Sequence, residues 1–358
     1  MTNVRQRIYS LDWLRAIAIV LVLCLHASHT FHDTPTSLKW LVSSGWAGVD
    51  LFFVLSGFLI GRQAFKAQES GKSKWKELGL FWTKRWFRTV PLYFAVLFLY
   101  VYIKPLFGQP FKQWNWGFLV FLQNYTGIFD MDHTWSLSIE EQFYFVFPLL
   151  LFLTPLGRLR KLWILPLFIS VFYRFLVWRE YGFVDLTISE AARSIHFLTH
   201  THMDGIACGL FLAATYDIWK NYGSRLKQAL VFLGLAVSIP TMLLTGVKLH
   251  GIGTLLTFPL LSIGYSALIV GTYGWGSDGR LFRCVQKIAL WSYGLYLWNT
   301  PILGFLKRLD GKLHWSVNWV IFFLISLLVS AITYYLIEEV FLKLRNKVLR
   351  LIDKQKVP

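Results

Sequence analysis

From Ser10 to Phe31 the chain reads SLDWLRAIAIVLVLCLHASHTF, an almost unbroken apolar run. About 20 such residues at 1.5 Å rise cross a hydrocarbon core, so the pattern predicts a membrane-spanning helix. Comparable runs recur along the whole chain. With the charges between them they predict ten spans, near 12–31, 45–65, 89–107, 135–154, 162–178, 196–215, 228–245, 252–273, 289–306 and 317–337. The expected fold is all-α: one polytopic integral-membrane domain over residues 1–358, with about ten transmembrane helices and no appended soluble domain.

Three stretches break the apolar pattern. In the first span, Arg15 and His26 stand eleven residues apart; at roughly 100° per residue they share one helix face, about 16 Å apart along the axis. A charged residue in a span costs on the order of 3 kcal/mol, so it faces a bundle interior or a watery cavity and marks a functional site. Between Gly108 and His133, the segment from Trp114 to Phe129 is apolar but short, which predicts an interfacial or re-entrant piece. If it crossed, every later orientation would reverse. After it, HTWSLSIEEQFYFVFP carries Glu140 and Glu141 into a span, and FLTHTHMDGIACGLFLA carries in His200, His202 and Asp204.

Composition agrees with lipid as the solvent: 55% of residues are hydrophobic and 18% aromatic. The net charge of +17 does not point to nucleic acid, because most of the Lys and Arg fall in short loops on one predicted side, as the positive-inside rule requires. That places both termini in the cytoplasm, with membrane lipids as neighbours. The outer loop with Lys307, Arg308 and Lys312 runs against the trend. No cleavable signal is expected, since the first apolar run carries Arg15 and lacks a small-residue cleavage site. Cys24, Cys208 and Cys284 have no framework spacing and are expected as free thiols.

Chemistry narrows the reading further. A neutral imidazole at His26 is suited to removing a proton from a hydroxyl, with a nearby carboxylate such as Asp50 setting its tautomer. The plain alternative is a core histidine bonded to a carbonyl. Arg85 and Arg88, three apart in the first cytoplasmic loop, share a helix face beside an apolar run. They suit either the phosphate headgroups or a ligand with cytosolic phosphates and a tail in the membrane. His26, His29 and His32, with His200, His202 and Asp204, raise a metal site as an alternative. No metal is expected, because steps of three drift about 60° each around a helix and no His-Glu-x-x-His occurs. The outer polar residues, His133, His202, Asp204 and Asn299, are expected instead to hydrogen-bond a hydroxyl-rich acceptor.

Taken in order, LDWLRAIAIVLVLCLH, GVDLFFVLSGFLI, KRWFR, HTWSLSIEEQFYFVFP, HMDGIACG and SYGLYLWNTP resemble the successive motifs of the membrane-bound acyltransferase family 3, bacterial O-acyltransferases that modify surface glycans. The chain departs from the family at His202, where Arg is common, and at Asn299, where His is frequent. Its late acidic motif also lacks a proline, reading Glu338, Glu339, Val340, Phe341. The resemblance implies an acyl-coenzyme A donor, usually acetyl, taken from the cytosol, and an acceptor hydroxyl on a saccharide reached from the far side. It implies catalytic roles for His26, Arg15, Asp50, Glu140 and Glu141, and donor binding by Arg85, Arg88 and Arg15. A glycan-precursor transporter or flippase, or an enzyme acting on a small molecule such as a macrolide, are the competing readings.

Overall fold

The structure, a computed structural model, describes residues 9–69, 73–109, 111, 114–126, 130–154, 161, 163–181, 192–244, 253–276 and 279–354. Among these residues all regular structure is helical. The main helices are α1 (Tyr9–Thr30), α2 (Ala47–Glu69), α3 (Lys74–Phe98), α4 (Trp135–Leu153), α5 (Ile164–Tyr181), α6 (Asp204–Ala214), α7 (Ser224–Leu244), α8 (Gly253–Thr272), α9 (Arg280–Leu306), α10 (Trp315–Thr333) and α11 (Glu339–Lys354).

Among the described residues, six helical stretches are long and apolar enough to cross a membrane: Tyr9–Thr30, Thr36–Glu69, Lys74–Phe107, Ser224–Leu244, Leu255–Thr272 and Trp315–Ile352. The expected ten are therefore not recovered as ten. Spans expected at 135–154, 162–178 and 289–306 coincide with the helices α4, α5 and α9, which carry Glu140 and Glu141, Arg174, Arg179 and Glu180, and Asn299 respectively. The span expected at 196–215 is α-helical only over Asp204–Ala214; a π turn (Ala192–His196) and a 3-10 turn (Thr199–Thr201) precede it. Chemistry-bearing residues interrupt the apolar pattern from which spans are read.

The chain falls into two compact units. The first comprises Met1–His29, Thr34–Arg62 and Lys161–Ser292; the second comprises Thr30–Asp33, Gln63–Arg160 and Tyr293–Pro358. In the first unit, close backbone approach sets the helix pairs. A Cβ on Gly48 would lie 2.4 Å from the Ala18 carbonyl oxygen, so only glycine lets α2 sit this close to α1. Gly209 does the same for α6 on α2, where a Cβ would meet the Val54 oxygen at 2.2 Å and the Phe58 nitrogen at 2.6 Å.

In the second unit, Leu92, Tyr93, Val96, Tyr100, Phe118, Met131, Leu137 and Leu297 form the core. The puzzling segment after Gly108 packs into it. Its described part holds two single-turn helices, Gly117–Val120 and Gln123–Thr126, far too short to cross. Its irregular backbone is served by neighbouring side chains: Tyr93 donates to the Phe118 carbonyl at 2.9 Å and Gln142 to the Phe121 carbonyl at 2.8 Å. Such partners are what permit non-helical chain beside lipid. The basic loop that defied the charge trend is tied down as well, because Arg308 donates to the Phe107 carbonyl at 2.9 Å and Asp310 accepts from the His32 amide at 2.9 Å.

Candidate active site

In the first unit α1 runs unbroken from Tyr9 to Thr30, so Arg15 and His26 share one helical face as their spacing requires. Both are half-buried, and Asp12, one turn before Arg15, is buried. Gly45 faces Leu21 and Gly48 faces Ala18, so the start of α2 runs antiparallel to the middle of α1. This register sets Asp50 about level with Ala16, next to Arg15 and roughly 15 Å of helix rise from His26.

Asp50 is fully buried, and its hydrogen-bond partner is His202, whose Nε2 lies 2.9 Å from Oδ1. Its other oxygen, Oδ2, is buried with no hydrogen-bond partner. The opposite ring nitrogen of His202, Nδ1, lies 2.7 Å from the His196 carbonyl oxygen. The imidazole is thus held between a carboxylate and a carbonyl, walled by the rings of Phe258 at 4.0 Å, His196 at 4.8 Å and Phe53 at 5.4 Å. Where Asp50 was expected to orient His26, the structure gives it His202.

Two residues away, Asp204 is gripped by a residue the sequence reading passed over. Arg174 from α5 donates through Nη1 at 2.6 Å and Nη2 at 2.7 Å to the two carboxylate oxygens, and Nη1 also reaches the Thr201 carbonyl at 2.5 Å. Both side chains are fully buried. The signal was present: the argument that singled out Arg15, a cation inside an apolar run, applies equally to Arg174. Nothing comparable marked His196.

In the second unit, Glu141 on α4 is buried and Glu140 half-buried. Arg85 on α3 sits over the Tyr144 ring at 4.9 Å, and Glu141 and Glu140 both act on it electrostatically. One turn along α3, Thr89 donates through its hydroxyl to the Arg85 carbonyl at 3.3 Å and accepts from the Tyr293 hydroxyl at 2.7 Å through its own carbonyl. Arg88 acts on Glu338, which is buried at the π turn Tyr334–Glu338. The Arg-x-x-Arg pair thus stands beside two buried glutamates and a tyrosine, an arrangement in which only Glu141 and the arginines were anticipated.

The expected acceptor contacts fare differently. Asp204 spends both oxygens on Arg174 and His202 both ring nitrogens on protein partners. Asn299 is fully buried, donates to the Leu295 and Tyr296 carbonyls of its own helix and accepts from Thr300 at 3.1 Å. His133 is buried with Tyr100 and Tyr296 rings beside it, and its carbonyl accepts from the Tyr296 hydroxyl. His202, Asp204 and Asn299 are thus all buried and engaged with protein partners. Among the described residues no three His, Cys, Asp or Glu side chains gather as a metal site. All three cysteines are free thiols.

No solved structure matches the chain. It is 27% identical to the peptidoglycan O-acetyltransferase OatA of Listeria monocytogenes over 326 residues, 84% of this chain and 50% of that protein. It is 28% identical to the O-acetyltransferase OatA of Staphylococcus aureus over 378 residues, 97% of this chain and 59% of that protein. The chain therefore spans little more than half the length of these relatives. The acyltransferase domain family matches residues 8–336, from the start of α1 into the π turn after α10, and this multi-pass membrane chain belongs to that family, acyltransferase 3.

Proposed function

We propose that the protein is a membrane O-acetyltransferase that moves an acetyl group from acetyl-coenzyme A to a hydroxyl of a cell-wall glycan, with peptidoglycan as the leading candidate. The observation that carries this reading is the single uninterrupted α1 with Arg15 and His26 on one face, within a chain whose relatives are named O-acetyltransferases.

In this reading Arg85 and Arg88 hold the donor's phosphates, which suit guanidinium forks, and the pantetheine arm carries the thioester into the membrane. His26 takes the proton of the acceptor hydroxyl as its oxygen attacks the thioester carbonyl. Arg15 stabilises the negative charge that develops there, the carbon–sulfur bond breaks, and the thiolate takes up a proton as coenzyme A leaves toward the cytosol. The pair Asp50–His202 holds the interior behind α1. The carboxylates Glu140 and Glu141 set the position and charge balance of Arg85.

Membranes containing the full chain, given radiolabelled acetyl-coenzyme A and cell-wall glycan, test this. Label on the glycan as an alkali-labile ester is the expected result, and His26→Ala at normal protein level should lower it by about 10²–10⁴-fold. Undiminished transfer by both His26→Ala and Arg15→Ala overturns the site. Movement of unmodified glycan precursor without labelling favours a transporter.

A further inference from the structure

The helices α3 and α10–α11 are longer than a membrane needs. The stretch Lys74–Phe107 runs about 51 Å and Trp315–Ile352 about 57 Å, against a hydrocarbon core of about 30 Å. They lie antiparallel. Arg308, just before α10, bonds the Phe107 carbonyl at the far end of the α3 stretch, while Phe87 meets Phe341 ring to ring at 6.5 Å near the other. Beyond that contact each helix continues for 13 residues, about 20 Å, to Lys74 and to Lys354. Both carry an irregularity at this level: Pro91 in α3, which cannot donate to the Phe87 carbonyl, and the π turn Tyr334–Glu338 before α11. Each interrupts the regular i to i−4 hydrogen-bond ladder.

Past the π turn, α11 has three distinct faces. Leu342, Leu349 and Ile352 are half-buried, and α11 packs on α3. A second stripe, Phe341, Leu344, Val348 and Leu351, recurs at helical spacing; Leu344 is 45% and Leu351 63% exposed. Bordering it on the side away from the packed face run Lys343, Lys347 and Arg350, all exposed. On α3 the exposed Trp75 and Trp86 add ring surface of the kind that gathers at headgroup level. An apolar stripe flanked by cations, beginning where a span ends, fits one occupant.

We infer that α11 is an interfacial helix that binds acidic phospholipids: its apolar stripe enters the boundary of the acyl chains, and Lys343, Lys347 and Arg350 engage the headgroup phosphates. Charge complementarity selects an anionic surface over a neutral one.

The test uses the full chain with Cys284→Ser, so that the exposed native thiol takes no label, and Leu351→Cys carrying an environment-sensitive fluorophore. In phosphatidylglycerol vesicles at low salt the emission should shift to that of an apolar site. High salt, or phosphatidylcholine vesicles, should move it back toward water, and the triple change Lys343→Gln, Lys347→Gln, Arg350→Gln should do so without salt. The salt and lipid dependence of the unaltered basic face is a readout that does not depend on the triple variant folding. Emission that stays aqueous in phosphatidylglycerol overturns the inference. So does an apolar signal already present in detergent that grows with protein concentration, which indicates a second copy on the stripe. Loss of the signal on adding inorganic phosphate at constant ionic strength also overturns it, because the site would then be one for free anions. None of these readouts requires acetyl transfer, so they stand apart from the enzymatic proposal.

Discussion

Arg174 grips Asp204 with two parallel hydrogen bonds, 2.6 and 2.7 Å long, in a place where neither side chain meets solvent. The fork also fastens the Thr201 carbonyl, so one guanidinium fixes the turn that leads into α6 and with it the backbone on either side of His202. Removing one partner leaves a buried charge uncompensated, which costs about 3–5 kcal/mol. Arg174→Met and Asp204→Asn should each lower the thermal unfolding midpoint of the purified protein sharply, and Arg174→Lys, which keeps charge but loses the fork, should recover only part of it. A midpoint unchanged in Arg174→Met would show that the pair carries no structural load.

The contact of α6 on α2 depends on a missing side chain. A methyl at Gly209 would lie 2.2 Å from the Val54 oxygen, and the atoms it meets are backbone, which cannot swing aside. Gly209→Ala should therefore destabilise the protein by about 1–3 kcal/mol. Gly79→Ala, where a Cβ meets nothing within 4 Å, serves as the control and should be neutral or slightly stabilising, as expected of Gly to Ala in a helix. Comparing their unfolding curves in the same detergent measures the difference.

If Arg85 and Arg88 bind the donor's phosphates, their loss should appear in KM for acetyl-coenzyme A. A charge-assisted hydrogen bond is worth about 1.5–3 kcal/mol, which corresponds to a rise of roughly 10- to 100-fold in KM for Arg88→Ala. A donor lacking the ribose phosphate should bind the native protein more weakly yet show a smaller further loss in the variant. Equal losses for both donors would remove that phosphate from the assignment.

The pair His32–Asp310 makes a pH prediction outside the spans. Burial is the largest single effect on the Asp310 carboxyl and raises it, but the two hydrogen bonds from His32 and the nearby positive charge together outweigh it and hold the carboxyl below its ordinary value. A carboxyl lowered on folding adds stability that is present above the unfolded-state pKa and is lost as the pH falls through the lower folded value. His32 is exposed, so the contribution is small, about 0.5 kcal/mol. Asp310→Asn should flatten the acid limb of the stability curve slightly and leave stability near neutrality reduced by that amount. An acid limb identical to that of the native protein would show that the contact does not form in solution.

Much of this architecture was legible in the chain itself. Apolar runs of span length require helices in lipid, because no other structure satisfies the backbone there, and a helix makes residues 15 and 26 share a face whatever surrounds them. The acids of α4 were visible because charge is costly in an apolar run, and the Arg-x-x-Arg pair because residues three apart share a helix face. Partners were not visible. Asp50 pairs with His202 across 152 positions, and Arg174 with Asp204 across 30, because glycines at 48 and 209 let three helices approach to backbone contact. Periodicity fixes which side of a helix a residue occupies, while only packing decides what stands opposite. Hence His202 meets Asp50 and Asp204 meets Arg174, partners that no spacing along the chain announces.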